Sequence, residues 1–207
     1  MAEATPDLVR RLHGLNLYLV GMMGVGKSAV GRPLAEALGY RFLDADTSIS
    51  RAAGRSITEI FRTEGEQGFR DLETAVLGGI ASWHSLVVAT GGGVVTRPSN
   101  WGHLRQGVVV WLDAPTELLL ERLRHDPTPR PLLNEADPEA RLRQLLELRR
   151  PLYAQADLHI SQTGDPPAAV AAEVIRQLPT ILRQPDIARP DPVTLVDGEG
   201  RKRTSLN

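Results

Sequence analysis

Gly21-Met22-Met23-Gly24-Val25-Gly26-Lys27-Ser28 fits the pattern Gly-x-x-x-x-Gly-Lys-Ser/Thr. Before it runs Leu15-Asn16-Leu17-Tyr18-Leu19-Val20, which is short, apolar and strand-like. After it, Ala29 to Leu38 has the composition of a helix, with Gly39 placed to stop it. Strand, glycine turn and helix form the context this pattern needs. There the glycines let the backbone curl with its N–H groups inward, making an anion nest at a helix N-terminus. Lys27 then reaches the β- and γ-phosphates of a nucleotide, and the Ser28 hydroxyl reaches Mg²⁺. The bland alternative is a glycine-rich turn with an incidental lysine, and the two flanks argue against it. The chain is read as binding a nucleoside triphosphate.

Working outward, strands and helices alternate. Asn16–Val20, Arg41–Leu43, Leu86–Ala89, Val108–Leu112 and Leu158–Ile160 read as apolar strands. Helical patterns cover Asp46–Ala53, Ser56–Glu64, Glu66–Ile80, Pro115–Leu123, Pro138–Arg150 and Pro167–Leu178, the second opened by a Ser56-x-x-Glu59 capping box. Such alternation predicts a three-layer α/β/α fold with a five-stranded parallel sheet covered on both faces. Ligands of such sheets bind at the carboxyl ends of the strands, where the motif loops converge. Arg124 to Ala136 is rich in proline and poor in apolar periodicity, so it is expected to be a loop. Pro179, Pro185, Pro190 and Pro192 and a polar end predict a mobile tail. The expected organisation is an extension at 1–14, the domain at 15–179 with a lid at about 124–136, and a flexible tail at 180–207.

Three further constellations follow strands or face the same end. Asp44-Ala45-Asp46 places two carboxylates just past the second strand, one suited to Mg²⁺ and the other to a substrate hydroxyl. The plainer reading makes Asp46 the cap of a helix starting at Thr47. Gly91-Gly92-Gly93 gives up backbone entropy of about 1 kcal/mol per glycine relative to alanine. Beyond a flexible turn, that suggests a backbone passing close to a ligand, where any Cβ would collide. Arg70 and Glu73 stand three apart on a helix, so Glu73 can orient Arg70, or the two form a surface pair of little weight. Arg149 is expected where Pro151 stops the long helix, and Arg130 lies in the proline-rich loop.

Composition bounds the function. A net charge of −1 gives no basic field for nucleic acid, and the absence of cysteine excludes disulfides and thiolate metal sites. No stretch approaches membrane-spanning length, and Met1–Arg11 lacks a signal peptide's apolar run, so a soluble cytoplasmic protein is expected, taken to be a monomer. Lys27 and Lys202 are the only lysines among many arginines, which codon bias explains, yet one is kept inside the phosphate loop.

The ordered set of motifs resembles the shikimate kinases, small members of the nucleoside-monophosphate-kinase-like P-loop group. It comprises Gly-x-x-Gly-x-Gly-Lys-Ser at 21–28, Asp-x-Asp at 44–46, Phe-Arg-x-x-Glu at 69–73, Gly-Gly-Gly at 91–93, Arg-Pro-Leu-Leu at 130–133 and Arg-x-Pro-Leu-Tyr at 149–153. The likeness runs from about Asn16 to about Leu178. It implies ATP-dependent phosphorylation of the 3-hydroxyl of shikimate, with Mg²⁺, in the biosynthesis of chorismate and aromatic amino acids. By this resemblance Asp46, Arg70, Gly91, Gly92, Gly93 and Arg149 contact shikimate, and Gly24, Val25, Gly26, Lys27, Ser28 and Ala29 contact ATP. Ser28 and Asp44 serve Mg²⁺, Arg130 is the lid arginine, and Arg124 flanks the adenine. The catalytic set is Lys27, Asp46 and Arg130. Ala29 stands where the family often has threonine, which removes one hydroxyl contact to phosphate. A gluconate-kinase-like or nucleoside-monophosphate kinase would share the loop, but paired arginines favour a carboxylate and the triple glycine a compact ring. A non-catalytic, regulatory relative would be expected to have lost Lys27, Asp46 or Arg130.

Overall fold

The structure, a computed structural model, describes residues 6–126, 131–133 and 137–182. Strands β1 (Leu17–Val20), β2 (Arg41–Asp44), β3 (Leu86–Ala89), β4 (Val108–Asp113) and β5 (Leu158–Ser161) form one parallel sheet in the order β2-β3-β1-β4-β5. β1 and β3 are buried at every position, as central strands covered on both faces must be. One apolar core lies on the face carrying Leu17, Leu19, Val108 and Val110; a second gathers Tyr18, Val20, Val109 and Trp111 on the other. This alternation follows from successive side chains of a strand pointing to opposite faces.

Eight helices complete the described residues: α1 (Pro6–Leu12), α2 (Lys27–Leu38), α3 (Ala45–Ala53), α4 (Ile57–Ala81), α5 (Pro98–Leu104), α6 (Thr116–His125), α7 (Pro138–Tyr153) and α8 (Pro167–Ile181). Ser56 caps α4 as its sequence promised, accepting from the Glu59 amide at 3.2 Å. The two helical patterns either side of residue 65 join into α4 across a kink at Gly65, whose φ of 68° suits glycine. α1 falls within the stretch read as an extension, yet Leu8 and Leu12 are buried in the main core. Arg11 also donates to the Pro179 and Leu182 carbonyls at the end of α8.

Three sequence expectations need correction. Arg124 and His125 belong to α6 rather than to a loop, and Pro131–Leu133 forms a turn of 3₁₀ helix. Pro151 does not stop α7, which continues to Tyr153. Pro151 removes the bond to the Glu147 carbonyl and crowds the preceding turn, a cost that the burial of Tyr153 offsets. α8 likewise runs through Pro179 to Ile181. The lid arginine Arg130 and the tail from residue 183 onward lie outside the described residues.

Candidate active site

The phosphate loop leaves β1 at Val20 and enters α2 at Lys27. Gly24 and Gly26 have φ of 80° and 94°, a left-handed backbone that a side chain would strain. Gly26 is the N-cap of α2 and supplies no capping side chain, so the first-turn amides are left for an anion. Lys27 Nζ rests on the Gly21 and Met22 carbonyls at 2.8 and 3.1 Å, folded back over the loop it serves.

Around this loop lies a cavity of about 310 Å³ whose lining includes Gly24, Lys27, Ser28, Ala29, Asp44 and Asp46. The Ser28 hydroxyl donates to Asp44 Oδ2 at 2.6 Å, joining the loop to the end of β2. Asp44 Oδ1 also accepts from the Thr47 amide at 3.1 Å, so Asp44, and not Asp46, is the cap of α3. Asp46 stands in the first turn of α3 and lines the cavity instead. The side chain of Val25 is buried, and its carbonyl accepts from Gln162 Nε2 at 2.7 Å and Arg122 Nη1 at 3.1 Å.

A second cavity, of about 160 Å³, adjoins the first and shares Met23, Asp46 and Gly92 with it. Its walls bring together Arg70, Arg149 and the three glycines at 91–93, with Phe61 and Phe69 supplying apolar surface. Arg70 is 5% exposed and held on its own helix by Glu73 Oε2 at 2.7 Å and Glu66 Oε1 at 3.1 Å. Burial opposes its charge, but the charges and hydrogen bonds of Glu73 and Glu66 outweigh that and raise its pKa. Glu73 is 2% exposed, and burial pushes its carboxyl above the usual range although Arg70 pulls it down. Within this buried pair, attraction outweighs the loss of water for Arg70, and the loss of water outweighs attraction for Glu73. Arg149 is also buried, and its Nη1 has no hydrogen-bond partner. A buried guanidinium nitrogen facing a small cavity is costly unless an acceptor arrives there.

The glycines separate into two roles. A Cβ on Gly91 would lie 2.5 Å from Glu73 Oε1 and 3.2 Å from Asp46 Oδ1, and one on Gly93 would fall inside the Arg70 guanidinium. These two make room for the side chains that form the pocket. A Cβ on Gly92 would meet nothing closer than 3.4 Å, so no side chain of the protein demands a glycine there.

Arg122 and Arg124 stand on different sides of α6 and line different cavities. Arg124 is exposed, pairs with Glu139 and borders a larger apolar cleft between α4 and α6. Arg122 lines the phosphate-loop cavity and is held by Gln162 Oε1 at 3.3 Å. Sequence reasoning missed Arg122. A signal existed, since Arg122 lies three residues beyond the buried Leu119 and therefore on the face of α6 turned inward.

A phosphate loop at the carboxyl end of a 2-3-1-4-5 parallel sheet, opening onto a second small cavity, defines a P-loop phosphotransferase of the nucleoside-monophosphate-kinase-like group. The family model for shikimate kinase matches residues 23–179. A shikimate kinase of Synechococcus sp. (strain RCC307) is 60% identical over 183 residues, 88% of this chain and 94% of that protein. Another, of Synechococcus sp. (strain CC9605), is 56% identical over 191 residues, 92% of this chain and 96% of that protein. Among solved structures, the shikimate kinase of Acinetobacter baumannii in complex with shikimate superposes with a TM-score of 0.79 at 43% identity, covering 84% of this chain and 97% of that one. This chain belongs to the shikimate kinase family. It is a kinase that moves a phosphoryl group from ATP to shikimate, in aromatic amino acid biosynthesis.

Proposed function

We propose that the two adjoining cavities divide the reaction between them, with the phosphate-loop cavity holding ATP and the glycine-walled cavity holding shikimate. Arg70 and Arg149 clamp the shikimate carboxylate, since planar guanidinium groups match a carboxylate in charge and geometry. Asp46 lines both cavities and so faces the 3-hydroxyl from the acceptor side. In the transfer, a bond forms between the 3-oxygen and the γ-phosphorus as the bond to the β–γ bridging oxygen breaks. The hydroxyl proton passes to Asp46, and ADP leaves. Lys27 and the loop amides from Gly24 to Ala29 stabilise charge on the transferring group and on ADP. Because such transfer depends mainly on positioning and electrostatics, alignment carries more weight than basicity.

Ser28 and Asp44 suit Mg²⁺. They are hard oxygen donors that already meet at the loop, as a cation retaining water and phosphate ligands requires. Bound there, Mg²⁺ would supply neutralising charge beside the β- and γ-phosphates. Arg122, which lines the ATP cavity, is proposed for the nucleotide in place of Arg124. Arg130 retains its proposed lid role from its motif, and its neighbours Pro131 and Leu132 line the shikimate cavity. Among the described residues no helix is long and apolar enough to cross a membrane, and the proposed setting is a monomer in the cytoplasm.

The observation that supports the reading is the shared boundary of Met23, Asp46 and Gly92, which gives the two cavities one carboxylate in common. The test is ADP release from ATP with Mg²⁺, measured with shikimate, with gluconate and with neither. Release that depends on shikimate is expected. Release driven by gluconate, or equal in all three, would overturn the assignment.

A further inference from the structure

The continuation of α7 past Pro151 to Tyr153 brings a residue with no assigned role to the back of the site. Tyr153 lies one turn beyond Arg149 on the same face of α7, and both are buried. Its ring stacks on Trp111 at a centroid distance of 6.0 Å. Its Oη donates to the Gly92 carbonyl at 2.5 Å and lies 3.9 Å from Met22 Sδ of the phosphate loop. Tyr153 lines neither cavity, so it stands behind the wall they share.

That wall is Gly92. The position its Cβ would occupy is 3.4 Å from the Met23 amide nitrogen, 3.5 Å from the Gly21 carbonyl and 3.8 Å from Arg149 Nη1. The phosphate loop, the carboxylate clamp and the wall between them therefore meet around one residue. Three consecutive glycines leave this backbone few steric restraints of its own. A trans peptide is planar, so holding the Gly92 carbonyl toward α7 turns the Gly93 N–H the opposite way. One hydrogen bond thus sets the orientation of the whole peptide unit.

We infer that Tyr153 is a positioning residue for phosphoryl transfer, its hydroxyl fixing the Gly92 peptide and hence the spacing between the γ-phosphate of ATP and the acceptor hydroxyl. The inference rests on the two-cavity reading above. Burial pushes the Tyr153 phenol up to about 12, with Arg149 and Arg70 pulling it down, so the hydroxyl remains a donor at any ordinary working pH. Burying a hydroxyl is unfavourable unless it is bonded, and a phenylalanine would fill the same space without that cost. The hydroxyl is therefore explained by its bond to the wall together with the Arg149 guanidinium beside it.

The experiment compares Tyr153→Phe with the unaltered protein, measuring ADP and phosphorylated shikimate separately, with thermal melting of both. Misalignment should lower kcat about tenfold, while KM for each substrate stays within about twofold. The ratio of ADP formed to shikimate phosphorylated should rise, because water reaches a γ-phosphate that the acceptor no longer meets squarely. A folded variant with unchanged kcat and unchanged ratio overturns the inference. So does a variant that fails to fold, since the hydroxyl would then serve stability. If the unaltered protein does not phosphorylate shikimate, the two-cavity reading fails instead, and the two failures are told apart in one assay.

Discussion

Replacing Gly93 with alanine should cost shikimate binding through a side chain the substitution does not resemble. Gly93 has φ of −100° and ψ of 2°, which alanine adopts freely, so no backbone strain enters. The cost is steric. The new methyl would sit 2.6 Å from Arg70 Nη1 and closer still to Cζ and Nη2, so the guanidinium must retreat by roughly 1 Å in a packed interior. Arg70 cannot retreat freely, because Glu73 and Glu66 hold it and it is 5% exposed. Losing a charge-assisted hydrogen bond to the carboxylate costs about 1.5–3 kcal/mol, or roughly tenfold to a hundredfold in shikimate affinity. Gly93 does not line the phosphate-loop cavity, so ATP affinity should hold. Calorimetric titration of each ligand measures both. The decisive comparison is a double-mutant cycle with Arg70→Ala, in which Gly93→Ala should add almost nothing once the guanidinium is gone. An equal loss in both backgrounds would refute the reasoning and place Gly93 directly against the substrate.

Lys27→Met should leave the protein folded and lower turnover by about 10²–10³-fold, because it removes a positive charge aimed at the transferring group; steady-state kinetics beside a melting curve checks this. Arg149→Ala should weaken shikimate binding and leave ATP binding nearly unchanged, read by separate titrations; a collapse of ATP affinity instead would move Arg149 to the nucleotide site. Glu73 yields a pH dependence. Its folded-state pKa is raised above its unfolded value by burial, so its contribution to stability is fully present below the unfolded value and is lost as pH rises through the folded one. Acidification therefore takes no stability away through Glu73 but protonates the anchor of Arg70, and KM for shikimate should rise on the acid side. In Glu73→Gln that limb should vanish, and an unchanged limb would assign it to another group.

Much of this molecule could be read from the chain because local signals agreed with one another. The phosphate loop came with its strand and helix, Ser56 capped the helix it announced, and buried strands read as apolar runs. What escaped reading was decided by phase and by tertiary contact. Asp44 and Asp46 both suit a helix start, and only the turn out of β2 decides that Asp44 caps α3 while Asp46 faces the cavities. Arg122 and Arg124 are two residues apart, roughly 200° around a helix, so only the phase of α6 tells which of them turns inward. The glycines of 91–93 showed that something approached closely, but not that for two of them it was the protein's own Glu73 and Arg70.

Pro151 is the most consequential of these cases. A proline after a long helical pattern is ordinarily a fair stop signal, since it lacks a donor and crowds the preceding turn. In α7 the burial of Tyr153 in the second core, beside Trp111, opposes that penalty. Had the helix ended at Arg150, no residue of α7 would lie a full turn beyond Arg149 on the same face, and the Gly92 carbonyl would lose its partner there. The Arg-x-Pro-Leu-Tyr run therefore links two functions through one helical turn. Arg149 reaches the glycine-walled cavity, and Tyr153 bonds the backbone separating that cavity from the phosphate loop. The spacing of four residues matters more than the proline between them, because i and i+4 share a face of the helix, so both ends of the run reach Gly92.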